Sequence, residues 1–179
     1  MAEQKNLIWE HAGKAGLVLG GVSTAYMLIT MLTGKLAGSG PALLLGLLNF
    51  VLWAGKLAAC IYLMRLFMLR FSAADPSADN GRVFRFGTLT ALLSALLYAA
   101  CYLAYVSFLA PDTFEQVFDS LRDNPMLDSN SLNMLDEMLP NMPTYAFIAT
   151  LIWCWLFGTV LAAIFSRNIP PQNPFIDEQ

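Results

Sequence analysis

The 23 residues between Pro41 and Arg65 are apolar almost throughout, yet they include Asn49 and Lys56. A segment of that length is what a helix needs to cross roughly 30 Å of hydrocarbon. Seven residues make two helical turns, so Asn49 and Lys56 share an azimuth, with Trp53 and Cys60 beside them. A polar stripe therefore runs down a membrane-spanning helix. A lysine at such depth costs about 2.5–3.5 kcal/mol, and neighbouring leucines at roughly −0.3 to −0.6 each offset it. Where the ammonium goes is the chemical question. Reading the span as 42–64 places Lys56 about three residues past its middle, toward Arg65, and helical side chains lean the other way, toward the helix start. No carboxylate occurs in any of the apolar segments. A salt bridge inside the membrane and within this chain is thus excluded, which leaves hydroxyls, carbonyls, aromatic faces, water or a partner. Tyr98, on a later apolar segment running the opposite way, is the internal partner expected from depth, through its hydroxyl, with Tyr102 a turn further along the same face. Asn49, Trp53, Lys56, Tyr98 and Tyr102 form the candidate polar contact set. A lysine of this kind serves structure, contacts an anionic lipid or partner subunit, or lines a transport path.

Hydrophobic residues make up 57% of the 179-residue chain and charged residues 13%, which places it outside soluble composition. The net charge of −3 offers no basic surface for nucleic acid. Cys60, Cys101 and Cys154 lie in apolar runs without paired spacing, and His11, the single histidine, has no metal-ligating neighbour in sequence. No Ser/His/Asp set, paired acids, P-loop or glycine-rich cradle is present, so neither a catalytic site nor a cofactor is expected. Asp136-Glu137 reads as a solvated helix face rather than a metal pair.

Four apolar segments organise the chain: about 15–33, 42–64, 86–110 and 144–166. Residues 1–14, with the cluster Leu7-Ile8-Trp9, are expected along the headgroup layer, and no cleavable signal peptide is read. Gly16 and Gly20 are four apart, as are Ala91, Ala95 and Ala99, and Gly158 and Ala162, the small-residue spacing that lets membrane helices approach closely. Gly34 to Pro41 reads as a tight turn between antiparallel neighbours, and Arg65 to Arg85 as a polar loop of turn formers. Residues 112–143 are acidic, with seven carboxylates against Arg122. Phe114, Val117, Phe118 and Leu121 predict one short amphipathic helix after Asp112, ended by Asn124-Pro125. Leu132, Leu135, Met138 and Leu139 predict a second, stopped by Pro140 and Pro143. The tail 168–179, rich in proline, is expected to be extended. The expected fold is an all-α integral membrane protein of one domain: an antiparallel four-helix transmembrane bundle, capped between spans three and four by short amphipathic helices.

Lys5, Lys14, Arg65, Arg70, Arg82, Arg85 and Arg167 lie at one end of the bundle, and Lys35 and Arg122 at the other. Cytoplasmic loops carry the positive excess, so both termini are expected inside and residues 112–143 outside.

The glycine-bearing first span, Asn80-Gly-Arg-Val-Phe-Arg-Phe-Gly-Thr-Leu-Thr leading into span three, the Pro111-Asp112 exit, the methionine-rich cap and the ending Asn173-Pro-Phe together resemble the Bacteroidetes membrane family known as domain of unknown function 4199. The resemblance covers nearly the whole chain. It implies a four-span protein of the bacterial inner membrane with no assigned activity, and a membrane glycosyltransferase as partner. It supplies no catalytic residues, and Lys56 belongs to none of its motifs. The expected function is a non-catalytic accessory or scaffold protein that binds membrane lipids and another membrane protein, or a further copy of itself. The alternative is a small transporter or channel subunit with Asn49 and Lys56 along its path. An enzyme ranks third.

Overall fold

The computed structural model describes residues 2–36, 42–75, 78–122 and 128–169. The elements in order are α1 (Ala2–Leu36), α2 (Ala42–Ala74), α3 (Asn80–Ala104), a π-helical turn continuing it (Tyr105–Leu109), α4 (Thr113–Arg122), α5 (Ser129–Met138), a 3₁₀ turn (Leu139–Asn141) and α6 (Met142–Asn168). Four of these, α1, α2, α3 with its π turn, and α6, are long and apolar enough to cross a membrane. The protein is an all-α membrane bundle.

Specific contacts give the directions. Thr33 meets Asn49, Ser23 meets Cys60 and His11 meets Phe71, so residue numbers rise along α1 as they fall along α2: the pair is antiparallel. A Cβ on Gly16 or Gly20 would strike Leu93 or Leu97, which makes α1 and α3 parallel. Gly87 faces Ala162 and Gly158 faces Ala91, which makes α3 and α6 antiparallel. The connectivity is up-down-up-down, and α3 is the central helix, packed mainly on α1 and α6.

Missing side chains create these close seams. A Cβ on Gly158 would lie 2.5 Å from the Ala91 Cβ, and one on Gly16 2.7 Å from the Leu93 Cβ, so any larger residue must push the helices apart. Ala91, Ala95 and Ala99 are all buried, as their spacing predicts. Hydrocarbon tails solvate leucine as well as a protein interior does, so the seams depend on close packing of small residues rather than on hydrophobic burial.

The end of the bundle that holds α1's first turns and α6's last residues, here the terminal end, contains a buried aromatic and apolar cluster. Phe71 and Phe86 stack with centroids 4.3 Å apart, His11 meets Phe71 edge-on, and Met64, Met68, Ala12, Val83 and Ile169 are among the residues buried in the same cluster. Here the structure corrects two expectations. Residues 2–14 do not form a separate surface element; they continue α1 without a break. The region from Arg65 is not a loop either, because α2 runs through Ala74 and α3 starts at Asn80. Arginine is a good helix former, and the apolar residues between Arg65 and Arg70 keep the helical face continuous into the Phe71 cluster. The connection is only a few residues long. Asp79 caps α3 by accepting the Arg82 amide at 2.7 Å, and buried Asp75 pairs with the Arg82 guanidinium at 3.3 Å.

At the opposite, cap end, α4 buries Phe118 and leaves Val117 and Leu121 exposed. Asp128 caps α5 by accepting the Ser131 amide at 3.0 Å, and Arg122 joins the two helices by pairing with Asp119 at 2.7 Å and with Asp136. Two short helices between the third and fourth spans therefore form as their periodicity predicts. The Asn124-Pro125 stop, most of the turn before Pro41 and the proline-rich tail fall outside the described residues.

Candidate functional site

Lys56 rises from the middle of α2 toward α1 and α3, and its ammonium lies between two aromatic faces. Nζ is 5.0 Å from the ring centroid of Tyr26 and 4.9 Å from that of Tyr98. Both distances fall within the ~6 Å at which a ring quadrupole holds a cation. Tyr98, the internal partner expected from depth, meets Lys56 through its ring face and not through its hydroxyl. Tyr26 is absent from the sequence-derived set. The signal that could have found it is the antiparallel register: residue numbers of facing positions on α1 and α2 sum to about 82, as in Thr33 with Asn49 and His11 with Phe71, and that sum pairs Lys56 with Tyr26.

α2 runs from Ala42 to Ala74, beyond the segment that the sequence suggested. The lean of the lysine toward the start of α2 carries the ammonium toward the Tyr26–Tyr98 layer.

Between the four long helices is a crevice of about 520 Å³. Lys56 and Trp53 line it together with Leu57 and Met64 of α2, Ser94 and Ala95 of α3, and Trp153 and Cys154 of α6. Most of the wall is carbon, and Lys56 is the one charged side chain on it among the described residues. Trp53 and Trp153 are half or more exposed and stand at its rim, between α2 and α6, which pack only lightly on each other. Cys60 faces Ser23 at 3.9 Å across the α1–α2 seam.

The predicted set thus divides. Trp53, Lys56 and Tyr98 come together. Asn49 does not join them: it is exposed, and its side-chain oxygen accepts from the Thr33 hydroxyl at 3.4 Å, two turns toward the cap. Tyr102 is half-buried beyond Tyr98, off the crevice lining, and its carbonyl accepts the Tyr105 amide where α3 passes into its π turn. Aromatic faces stabilise an ammonium without cancelling its charge, so the crevice is an apolar slot with a net positive charge on its wall. No group of three His, Cys, Asp or Glu side chains that could hold a metal occurs among the described residues.

No curated protein and no solved structure matches the chain. A family model matches residues 14–167, from within α1 to near the end of α6, a stretch that includes the crevice and the cap. The chain belongs to the family described as Protein of unknown function (DUF4199).

Proposed function

We propose that the chain is a non-catalytic accessory protein of a bacterial inner membrane, which holds another membrane protein or lipid against its α2 side. One observation carries this reading. The six consecutive residues 46–51 of α2 are all exposed, and six residues of a helix cover every azimuth. The cap-end half of α2 therefore lacks the close neighbours that α1, α3 and α6 give one another, and it presents Asn49 to its surroundings. Thr33 meets only the Asn49 oxygen; the Asn49 amide NH2 in hydrocarbon is unfavourable and is relieved by a partner that accepts from it. A membrane glycosyltransferase is the partner that the sequence resemblance implies, and a second copy of the chain is the other occupant of the same face. The uneven placement of Lys and Arg supports termini on the cytoplasmic side and the α4–α5 cap outside.

The test is mild-detergent purification from native membranes, with the retained proteins and lipids identified by mass spectrometry. A partner should come away in fixed stoichiometry with the wild type and be depleted by Asn49→Leu combined with Phe50→Ala. If the wild type purifies alone and monomeric, with no lipid enriched over the bulk membrane, the reading fails. The crevice favours a second reading, a transport path past Lys56. That reading requires water at Lys56, so a Lys56→Cys variant would react with membrane-impermeant thiol reagents, whereas the accessory reading expects slow reaction.

A further inference from the structure

We propose that the crevice is a binding site for a long-chain carboxylate, a fatty-acid-like anion whose head meets Lys56 and whose tail lies along α2 and α6. This rests on the accessory reading and names the lipid class. The charge comes first. Tyr26 and Tyr98 hold the ammonium against their ring faces and leave its charge intact, at 5.0 and 4.9 Å. The apolar segments of this chain contain no Asp or Glu, so neither the protein itself nor a second copy packed in the same membrane layer supplies a counter-ion. The charge complement of the slot is an anion from outside the chain.

Shape narrows the choice. A volume of about 520 Å³ falls within the range of small-molecule sites, roughly 300–1,000 Å³. The α2 lining runs from Trp53 to Met64, eleven residues and so about 16 Å, a slot longer than it is wide. A transmembrane helix, about 10 Å across, does not fit such a slot, whereas one aliphatic chain does. Polarity is graded along it. Lys56 lies near the cap-side end, and beyond it toward the terminal end come Leu57, Met64, Phe157 and Leu161. Lys56 is fourteen residues, about 21 Å, from the start of α2 at Ala42. A phospholipid headgroup belongs at the interface, but a carboxylate is small enough to follow its chain to that depth when a fixed cation meets it. The exposed rim at Trp53 and Trp153, between the lightly packed α2 and α6, gives an entrance from the side.

The same rim supplies the assay. Purified full-length protein in uncharged detergent at pH 8.5, where a carboxylic acid is ionised, is titrated with 9,10-dibromostearic acid or with its methyl ester, and bromine quenching of tryptophan fluorescence is followed. The acid should reach half-quenching at a mole fraction about tenfold below that of the ester, the ratio expected of one charge-assisted contact. Lys56→Met should bring acid and ester together, Lys56→Arg should keep them apart, and Trp53→Phe with Trp153→Phe should remove the acid-specific quenching. Equal quenching by acid and ester in the wild type overturns the proposal without recourse to any variant. So does a difference that survives Lys56→Met or the paired tryptophan change. The two readings fail separately. Equal quenching in a chain that still brings down a partner protein from native membranes overturns the carboxylate site and leaves the accessory role standing. An acid preference in a chain that purifies alone upholds the site and removes the protein-partner part of that role.

Discussion

The Lys56 clamp makes a quantitative prediction. A cation over an aromatic face contributes about 0.5–1 kcal/mol where water is present and about 2 kcal/mol when it is excluded. Lys56 is half-buried and faces two rings at nearly equal distance, so each ring should contribute about 1–2 kcal/mol. Replacing Tyr98 by Leu removes the ring and also leaves a void. A double-mutant cycle with Lys56→Met cancels the void and isolates the pairwise interaction, which should be about 1–2 kcal/mol. Tyr98→Phe keeps the ring face, so its coupling to Lys56 should fall below about 0.5 kcal/mol. Reversible unfolding in mixed micelles titrated with dodecyl sulfate, followed by circular dichroism, gives the four stabilities. Coupling between Lys56→Met and Tyr98→Leu within the usual additivity error of about 0.3–0.5 kcal/mol would refute the clamp. Equal losses from Tyr98→Phe and Tyr98→Leu would return the contact to the hydroxyl.

Other perturbations separate the remaining elements. Gly158→Ala sets a methyl 2.5 Å from the Ala91 Cβ and should destabilise by about 1–3 kcal/mol in the same titration, whereas Gly21→Ala, with nothing within 4 Å, should be neutral or stabilise by up to about 1 kcal/mol. Asp79→Ala removes the cap on the Arg82 amide and should cost about 1 kcal/mol, read as faster hydrogen exchange over the first turn of α3. At the outer cap, the hydrogen bonds from Ser131 hold the Asp128 carboxyl below the usual carboxylate range. A lowered folded-state pKa adds stability that is complete above the unfolded value, about 3.9, and lost as pH falls through the folded value. Exchange protection of α5 should accordingly be flat from pH 8 to 5 and decline below about 4, and Asp128→Asn should keep the cap while flattening that decline.

Much of this architecture was legible in the chain, for reasons of length and period. Each apolar run of about 20 residues must become a helix, because hydrocarbon offers backbone amides no other partner. The small residues at Gly16, Gly20, Ala91 and Gly158 marked the seams where helices touch, since four-residue spacing puts them on one ridge. The α4–α5 cap followed from apolar periodicity between prolines. Helix ends were harder to read: charges at Arg65 and Arg70 suggested a loop, yet nothing in that stretch breaks a helix, and α2 continues to Ala74.

The site divides the same way. That Lys56 lies at depth, on the face of Trp53, with no carboxylate to meet it, is contained in the sequence, because periodicity and inventory are one-dimensional facts. That its charge rests on Tyr26 and Tyr98, that Asn49 turns instead to Thr33, and that a crevice opens beside it were decided by the tertiary structure. Sequence sets the azimuth of each side chain on its own helix. Which residue stands opposite depends on the register between helices, and that is set by glycine contacts and by the Phe71 cluster many turns away.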